Sequence, residues 1–306
     1  MFSATSLIAW EYMTDEEIKL YPNLQMLDLD DNNIITDEGI KDLLLLKKLI
    51  CGRNERLTNK GLTGKQLTYL DCYWNSRIND DGLENLPLTH LVCNEKITDK
   101  GILGKPITYL DCRFSNKITD KGIKRLPLKY LFCGENTNLT DEGLKHLRLK
   151  CLGCGFNNNF TDSILYNSSI KKLICGENTT FTDNGLLYSS VKQLFCGENQ
   201  NFTDDGLIRS GIEELHCGKN TNFTNKGLIN SRIVKLFCGE NQNFTDSGIV
   251  QSNITYLACD TNTAFTFEAV SSGLECVCFG EHTELKQKFQ KMYPWRTIGK
   301  SFVFKC

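Results

Sequence analysis

The chain has 306 residues, with 35 Lys and Arg against 37 Asp and Glu, for a formal charge of −2; this excludes a global electrostatic pull toward nucleic acid or an anionic membrane. It is 40% hydrophobic with five prolines, as suits a folded soluble protein, and no segment reaches the roughly 18 unbroken apolar residues that span a bilayer. Met1 to Trp10 lacks a basic region followed by a long apolar run, so no signal peptide is read and the expected location is the cytoplasm.

In chain order, residues 1–24 are expected to form an N-terminal cap, in which Met13-Thr14-Asp15 looks like a decayed half-repeat. A repeat then begins. Eleven cysteines stand at 51, 72, 93, 112, 133, 154, 175, 196, 217, 238 and 259, and nine of their ten intervals are 21 residues. The exception, Cys93 to Cys112, has lost two residues between Cys93 and Ile97-Thr98-Asp99. Leu29 and Phe279 occupy the cysteine position in one further frame at each end, so about thirteen units run from 25 to 285. Residues 286–306 are expected to cap the far end: Leu285, Phe289 and Met292 have helical spacing, and 301–306 can form a closing strand over the last edge.

One unit reads Ile170-Lys-Lys-Leu173-Ile-Cys175-Gly-Glu-Asn178-Thr-Thr-Phe181-Thr182-Asp183-Asn-Gly185-Leu186. Leu173 and Cys175 are two apart and share one face of a short strand. Asn178 stands where the chain must turn, and its amide can bond the freed backbone groups and stack into a ladder. Phe181 returns to the core. Thr182 suits an N-cap and Asp183 the positive end of a short helical turn. Twenty-one residues cannot hold a strand and a long helix, so the expected fold is an α/β solenoid with a parallel β-sheet on the concave face and short or 3₁₀ helices on the convex face.

The pattern LxxLxCxxNxxFTDxGL resembles leucine-rich repeats, in particular the cysteine-containing subtype of F-box-associated and AMN1-like proteins. Ile97-Thr98-Asp99-Lys-Gly101-Ile102 and Ile118-Thr119-Asp120-Lys-Gly122-Ile123 match its second half closely. Two departures stand out. The cysteine sits at the third strand position, and the units are about five residues shorter than that subtype's. Short Asn- and Lys-rich arrays are similar to those of protists and of the large DNA viruses that infect them. The resemblance implies a non-catalytic scaffold for a protein partner or, alternatively, a ubiquitin-ligase substrate receptor lacking its own F-box. A self-associating structural component is a further alternative.

No catalytic chemistry is legible. His90, His146, His216 and His282 fall in different columns, and no Ser-His-Asp, GxxxxGK[ST] or HExxH arrangement occurs. The expectation is therefore no enzyme, no metal and no cofactor. The cysteine column reads as small apolar filling of a narrow core, and such free thiols favour a reducing compartment. Cys151 and Cys154 are three apart, on opposite faces of a strand, and so do not form half a zinc site. Cys276 and Cys278 share the outer face of the last strand. Of eight Asn-x-Ser/Thr sequons, several are simply the repeat's own Asn-Phe-Thr.

The repeats disagree on either side of the cysteine, where side chains point outward. The candidate partner-binding residues are Tyr69, Trp74, Tyr109, Phe114, Tyr130, Phe132, Phe156, Ile174, Phe195, His216 and Phe237, with Glu135, Glu177, Glu198 and Glu240 as an acidic margin. Exposed aromatics with a charged rim mark a protein-binding patch. The glycine column after the cysteine (Gly134 to Gly239) is read as leaving shallow slots or permitting curvature. The expected partner is a protein, with neither nucleic acid nor membrane, and the chain is expected to be a monomer.

Overall fold

The computed structural model describes residues 3–279 except 135, 177, 198, 200, 260, 261, 263, 267 and 270–273, and beyond 279 only residues 287 and 291. The expected C-terminal helix and closing strand lie outside the described residues. The chain divides into two units, Met1–Leu149 and Lys150–Cys306.

In the first unit the strands are Ser6–Ile8, Met26–Asp28, Lys48–Ile50, Tyr69–Asp71, His90–Val92, Tyr109–Asp111 and Tyr130–Phe132, each parallel to the next and in register. In the second they are Cys151–Gly153, Lys172–Ile174, Gln193–Phe195, Glu214–His216, Lys235–Phe237, Tyr256–Ala258 and Cys276–Cys278, again parallel and sequential. Each strand is three residues long. Except in Ser6–Ile8, where Leu7 is half-buried, its middle residue, usually leucine, is buried and its flanks face outward, as period-2 geometry requires. The first coil starts within residues 6–18, with Ala9 in the cysteine position and a helical turn at Asp15–Ile18.

The helical segments are single α turns of four residues in the first unit, such as Asp99–Ile102. In the second they reach six, as in Asp204–Arg209. One 3₁₀ turn, Asp162–Ile164, stands where the repeat's glycine is replaced by Ile164. No helix among the described residues is long and apolar enough to cross a membrane.

Three polar contacts stitch coil to coil. The first is the asparagine ladder. Asn54 Nδ2 donates to the carbonyls of Asn32 (2.8 Å) and Ile35 (2.9 Å) in the preceding coil, while its Oδ1 accepts from the N–H groups of Arg56 and Leu57. Asn241 repeats the pattern on Asn220 and Phe223. Ser115 stands in once, its hydroxyl donating to Ile97 O. The Asn54 amide thus closes the turn with both its nitrogen and its oxygen used, in a site where an unpaired group costs about 1–3 kcal/mol. At Asn199 the oxygen accepts from Asn201 N, while the buried Nδ2 has no partner among the described residues.

The second contact gives the Thr-Asp-x-Gly motif a meaning beyond helix capping. Asp183 Oδ1 accepts the backbone N–H of Thr203 (2.9 Å) and Oδ2 accepts its hydroxyl (2.6 Å), so each aspartate fixes the threonine of the next coil. That threonine in turn caps its own helix by accepting from Asp205 N. A Cβ at Gly206 falls against Asp183 Oδ1 closer than real Cβ contacts allow, and the same clash recurs at Gly61, Gly122, Gly185 and Gly227. In the coil of residues 6–18 Glu17 makes the corresponding contacts, accepting both Thr14 N (2.8 Å) and Thr14 Oγ1 (3.0 Å).

The third contact is made by two lysines of the first unit that cap the preceding helix at its negative end. Lys65, 1% exposed, donates to the carbonyls of Ile40, Lys41 and Leu43. Lys105 does the same to Leu83, Glu84 and Leu86.

The cysteines fill the core and are also hydrogen-bonded. Cys72 donates both its N–H (3.1 Å) and its thiol (3.3 Å) to Val92 O of the next coil. Burial pushes the Cys72 and Cys196 thiols up to about 12, so both stay protonated at neutral pH. All fourteen described cysteines are free.

The aspartate–glycine contact yields the first prediction. Gly206→Ala is expected to destabilise the protein by about 1–3 kcal/mol through overpacking on Asp183. In an Asp183→Ala background the same change is expected to be neutral or stabilising, because only the helix preference for alanine over glycine remains. Urea unfolding of the four proteins measures the coupling, and additive effects would refute the contact.

Candidate binding surface

The outward sheet face is built by the two strand residues flanking the buried leucine, together with the one or two residues after the cysteine. Parallel in-register pairing stacks like positions in rows, so each row reads as a column of the repeat.

In the second unit the row just before the cysteine forms a tight stack. Phe195 and His216 lie 3.7 Å apart between ring centroids and 14° from parallel; His216 and Phe237 lie 3.8 Å apart and 10° from parallel. Tyr256 adds a tilted contact to Phe237 at 5.0 Å, and the Lys172 ammonium sits 4.3 Å from the Phe195 centroid. Glu214, one row over, faces His216 Nε2 at 2.9 Å and accepts from Gln193 Nε2 at 3.0 Å. Burial between the rings lowers the His216 imidazole below its ordinary range, against the pull of Glu214, and favours the neutral ring. Ile174 precedes the stack in the same row, half-buried, and Phe156 is 52% exposed. Glu240 is exposed. Glu135, Glu177 and Glu198 lie outside the described residues.

The glycines beside this row have positive φ, 52° at Gly197 and 49° at Gly218. A Cβ on Gly197 would stand 3.2 Å from the Gly176 Cα and O atoms. The row therefore consists of bare backbone in direct contact.

In the first unit the rings lie in the opposite row. Tyr69, His90 and Tyr109 stack at 5.9 and 5.7 Å, and Tyr109 reaches Tyr130 (6.1 Å) and Phe132 (5.4 Å). Lys48 lies 4.3 Å from the Tyr69 ring centre. Trp74 and Phe114 are 60% and 43% exposed and meet through Tyr73, at 5.0 and 4.7 Å respectively. Tyr73 and Phe114 belong to coils separated by the one that has lost two residues after Cys93, so the rings meet across the resulting gap. Trp74 has φ 68°, a left-handed conformation that costs a non-glycine residue on the order of 1 kcal/mol.

Carboxylates sit among these rings. Asp111, 5% exposed, is held by Arg113 through Nε (3.0 and 3.1 Å) and Nη2 (2.8 Å). Asp71 accepts only Tyr73 N, at 3.1 Å. Burial, with Asp30, Asp111 and Asp28 nearby, raises the Asp71 carboxyl to about 6.

The structure thus gathers most of the predicted residues into ring clusters, two in the first unit and one in the second. It adds His90, Tyr73, Tyr256, Glu214 and the Asp111–Arg113 pair, which the sequence reading left out. Among the described residues no group of three or more His, Cys, Asp or Glu is placed to hold a metal ion.

Coils of one short strand and one helical turn, strung on buried leucines and an asparagine ladder, make each unit an α/β solenoid of leucine-rich-repeat type. No protein-family model and no curated protein matches the sequence. Among solved structures the chain is similar to a chain of the Rad7 and Elc1 complex in yeast, 16% identical over 87% of this chain and 79% of that one, with a TM-score of 0.49. It is also similar to a chain of the TLR13–ssRNA13 complex, 15% identical over 89% of this chain and 51% of that one, with a TM-score of 0.49; it spans about half of that chain's length.

Asp71 supplies the second prediction. A carboxyl raised on folding contributes stability below its unfolded value, near 4, and that contribution is lost as pH rises through about 6. Asp71→Asn is therefore expected to stabilise the protein at pH 7.5 by on the order of 2 kcal/mol, and by much less at pH 4. Denaturant titrations at the two pH values test this; equal effects at both would contradict it.

Proposed function

We propose that this chain is a non-catalytic interaction scaffold that holds a protein partner against the outward face of its parallel sheet, the face expected to be concave. The observation that carries the proposal is the Phe195–His216–Phe237 stack. Its rings are half-buried and fixed by their neighbours, and they are flanked by Lys172, Glu214 and Lys235. A rigid aromatic centre with a charged margin loses little side-chain entropy on association, and aromatic residues dominate binding hot spots. The core of each coil is complete without this row, so nothing in the folding of the repeat requires three aromatic rings there. The resemblance to cysteine-containing repeats supports a partner that is a protein. Substrate reception for a ubiquitin ligase is a narrower form of the same activity, decided by co-purification with a ligase adaptor.

Phe195→Ala combined with Phe237→Ala is expected to weaken capture of the partner, identified by affinity mass spectrometry with the wild-type chain, by about 100-fold or more. The melting temperature should fall by only a few degrees, since the rings are half-exposed. Unfolding of the double variant, or undiminished capture by a folded one, would remove the basis of the proposal.

A further inference from the structure

We infer that the first unit carries, at Asp71, Tyr73 and Trp74, a receiving site for an arginine side chain presented by a polypeptide partner. The inference rests on the scaffold reading and names the chemistry that one part of its face selects.

Two coils of this unit share one sequence. Thr68-Tyr69-Leu70-Asp71-Cys72-Tyr73-Trp74 and Thr108-Tyr109-Leu110-Asp111-Cys112-Arg113-Phe114 are identical through the cysteine. In the second of these coils the chain supplies the cation itself. Arg113 forks onto Asp111 through Nε and Nη2, and its guanidinium carbon lies 5.8 Å from the Phe114 ring centre. Carboxylate, guanidinium and aromatic ring make one unit of charge-assisted hydrogen bonds and cation–π contact.

In the first of these coils two of the three parts are present. Asp71 occupies the position of Asp111, and Trp74, the better cation–π ring, occupies that of Phe114. Tyr73 stands where Arg113 would be, and the guanidinium is missing. Asp71 receives a single backbone N–H and makes no ion pair among the described residues; the charged groups acting on it are Asp28, Asp30 and Asp111, all acidic. A half-buried carboxylate surrounded by its own sign is poorly compensated within the chain, and an arriving guanidinium would compensate it as Arg113 compensates Asp111. Trp74, exposed, in a left-handed conformation and at the position of Phe114, offers the ring. Arginine fits better than lysine, because its planar fork matches a carboxylate and stacks on an aromatic face at once.

The probe is an acetylated, amidated Gly-Ser-Arg-Ser-Gly peptide, with its citrulline counterpart as the uncharged isostere, titrated into the full chain and followed by the backbone and indole NMR signals of Tyr73 and Trp74. Saturable binding of the arginine peptide is expected, about tenfold or more weaker for citrulline and for Asp71→Asn. Tyr73→Arg should abolish it by supplying the cation in place, recreating the pair seen at Asp111 and Arg113. This variant decides the matter even if Asp71→Asn alters folding. Equal binding of the two peptides, binding unchanged in Tyr73→Arg, or no saturation below about 10 mM would overturn the site. Failure here while Phe195→Ala with Phe237→Ala still loses the captured partner overturns this site alone. Arginine binding with capture undiminished in that double variant overturns the scaffold proposal alone.

Discussion

The contact on which the rest of the structure depends is a carboxylate reaching one coil forward. Asp183 holds the backbone N–H and the hydroxyl of Thr203 together, and that threonine starts the next helical turn. Because the acceptor belongs to one coil and the helix to the next, each coil completes its neighbour's capping. The requirement for glycine follows directly, since any side chain at Gly206 would occupy the carboxylate's place. Together with the asparagine rung, this contact makes stability a nearest-neighbour property. In the coil of residues 6–18 the threonine is held differently, by Glu17 of its own helical turn accepting from Thr14 N and Oγ1.

With the cohesion between coils assigned to the leucine, cysteine, asparagine and threonine–aspartate rows, the outward rows are released from folding duty. The same strand position accommodates Asp71, Val92 and Asp111 in one unit and Ile174, Phe195 and His216 in the other. The two units use this freedom differently. The first buries carboxylates among spaced rings. The second packs its rings against one another and places Lys172, Glu214 and Lys235 beside them.

The periodic parts of this architecture were legible in the sequence, because a fixed 21-residue spacing places Leu173, Cys175, Asn178 and Phe181 without knowledge of distance. Parts that depend on the pitch of the coil were not. Thr182 and Asp183 read as a helix cap, but that Asp183 serves Thr203 and not its own helix follows only from how closely coils approach. Lys65 and Lys105 each end a Gly-(Leu/Ile)-x-Gly-Lys stretch, but only the structure shows the Lys65 amine on three carbonyls. The two-residue loss after Cys93 was plain, yet its consequence, a gap across which Tyr73 meets Phe114, required knowing that the missing residues would have lain between them. Among the candidate residues, rows were readable and contacts were not. His216 and Phe237 could be placed in one column and Glu214, two residues before His216, on the same face, whereas the 2.9 Å contact between Glu214 and His216 could not be read.

The two units differ in how closely their outward rings approach and in the row that stands beside them. Parallel strands stand about 4.8 Å apart, yet the Phe195, His216 and Phe237 centroids are 3.7 and 3.8 Å apart. Beside them Gly176, Gly197, Gly218 and Gly239 pack Cα against backbone, with positive φ throughout and no Cβ to hold the coils apart. In the first unit the corresponding positions include Asp30, Tyr73 and Arg113, and ring separations there run from 4.7 to 6.1 Å. Rings stacked face to face at these distances cover their faces against one another. Wider spacing, with side chains in the next row, leaves faces such as that of Trp74 open. An edge-presenting stack offers a firm apolar ridge, while an open face beside a carboxylate offers a place for a cation. In the second unit those rings stand beside a row of glycines, whereas in the first unit the row after the cysteine includes the side chains of Tyr73 and Arg113.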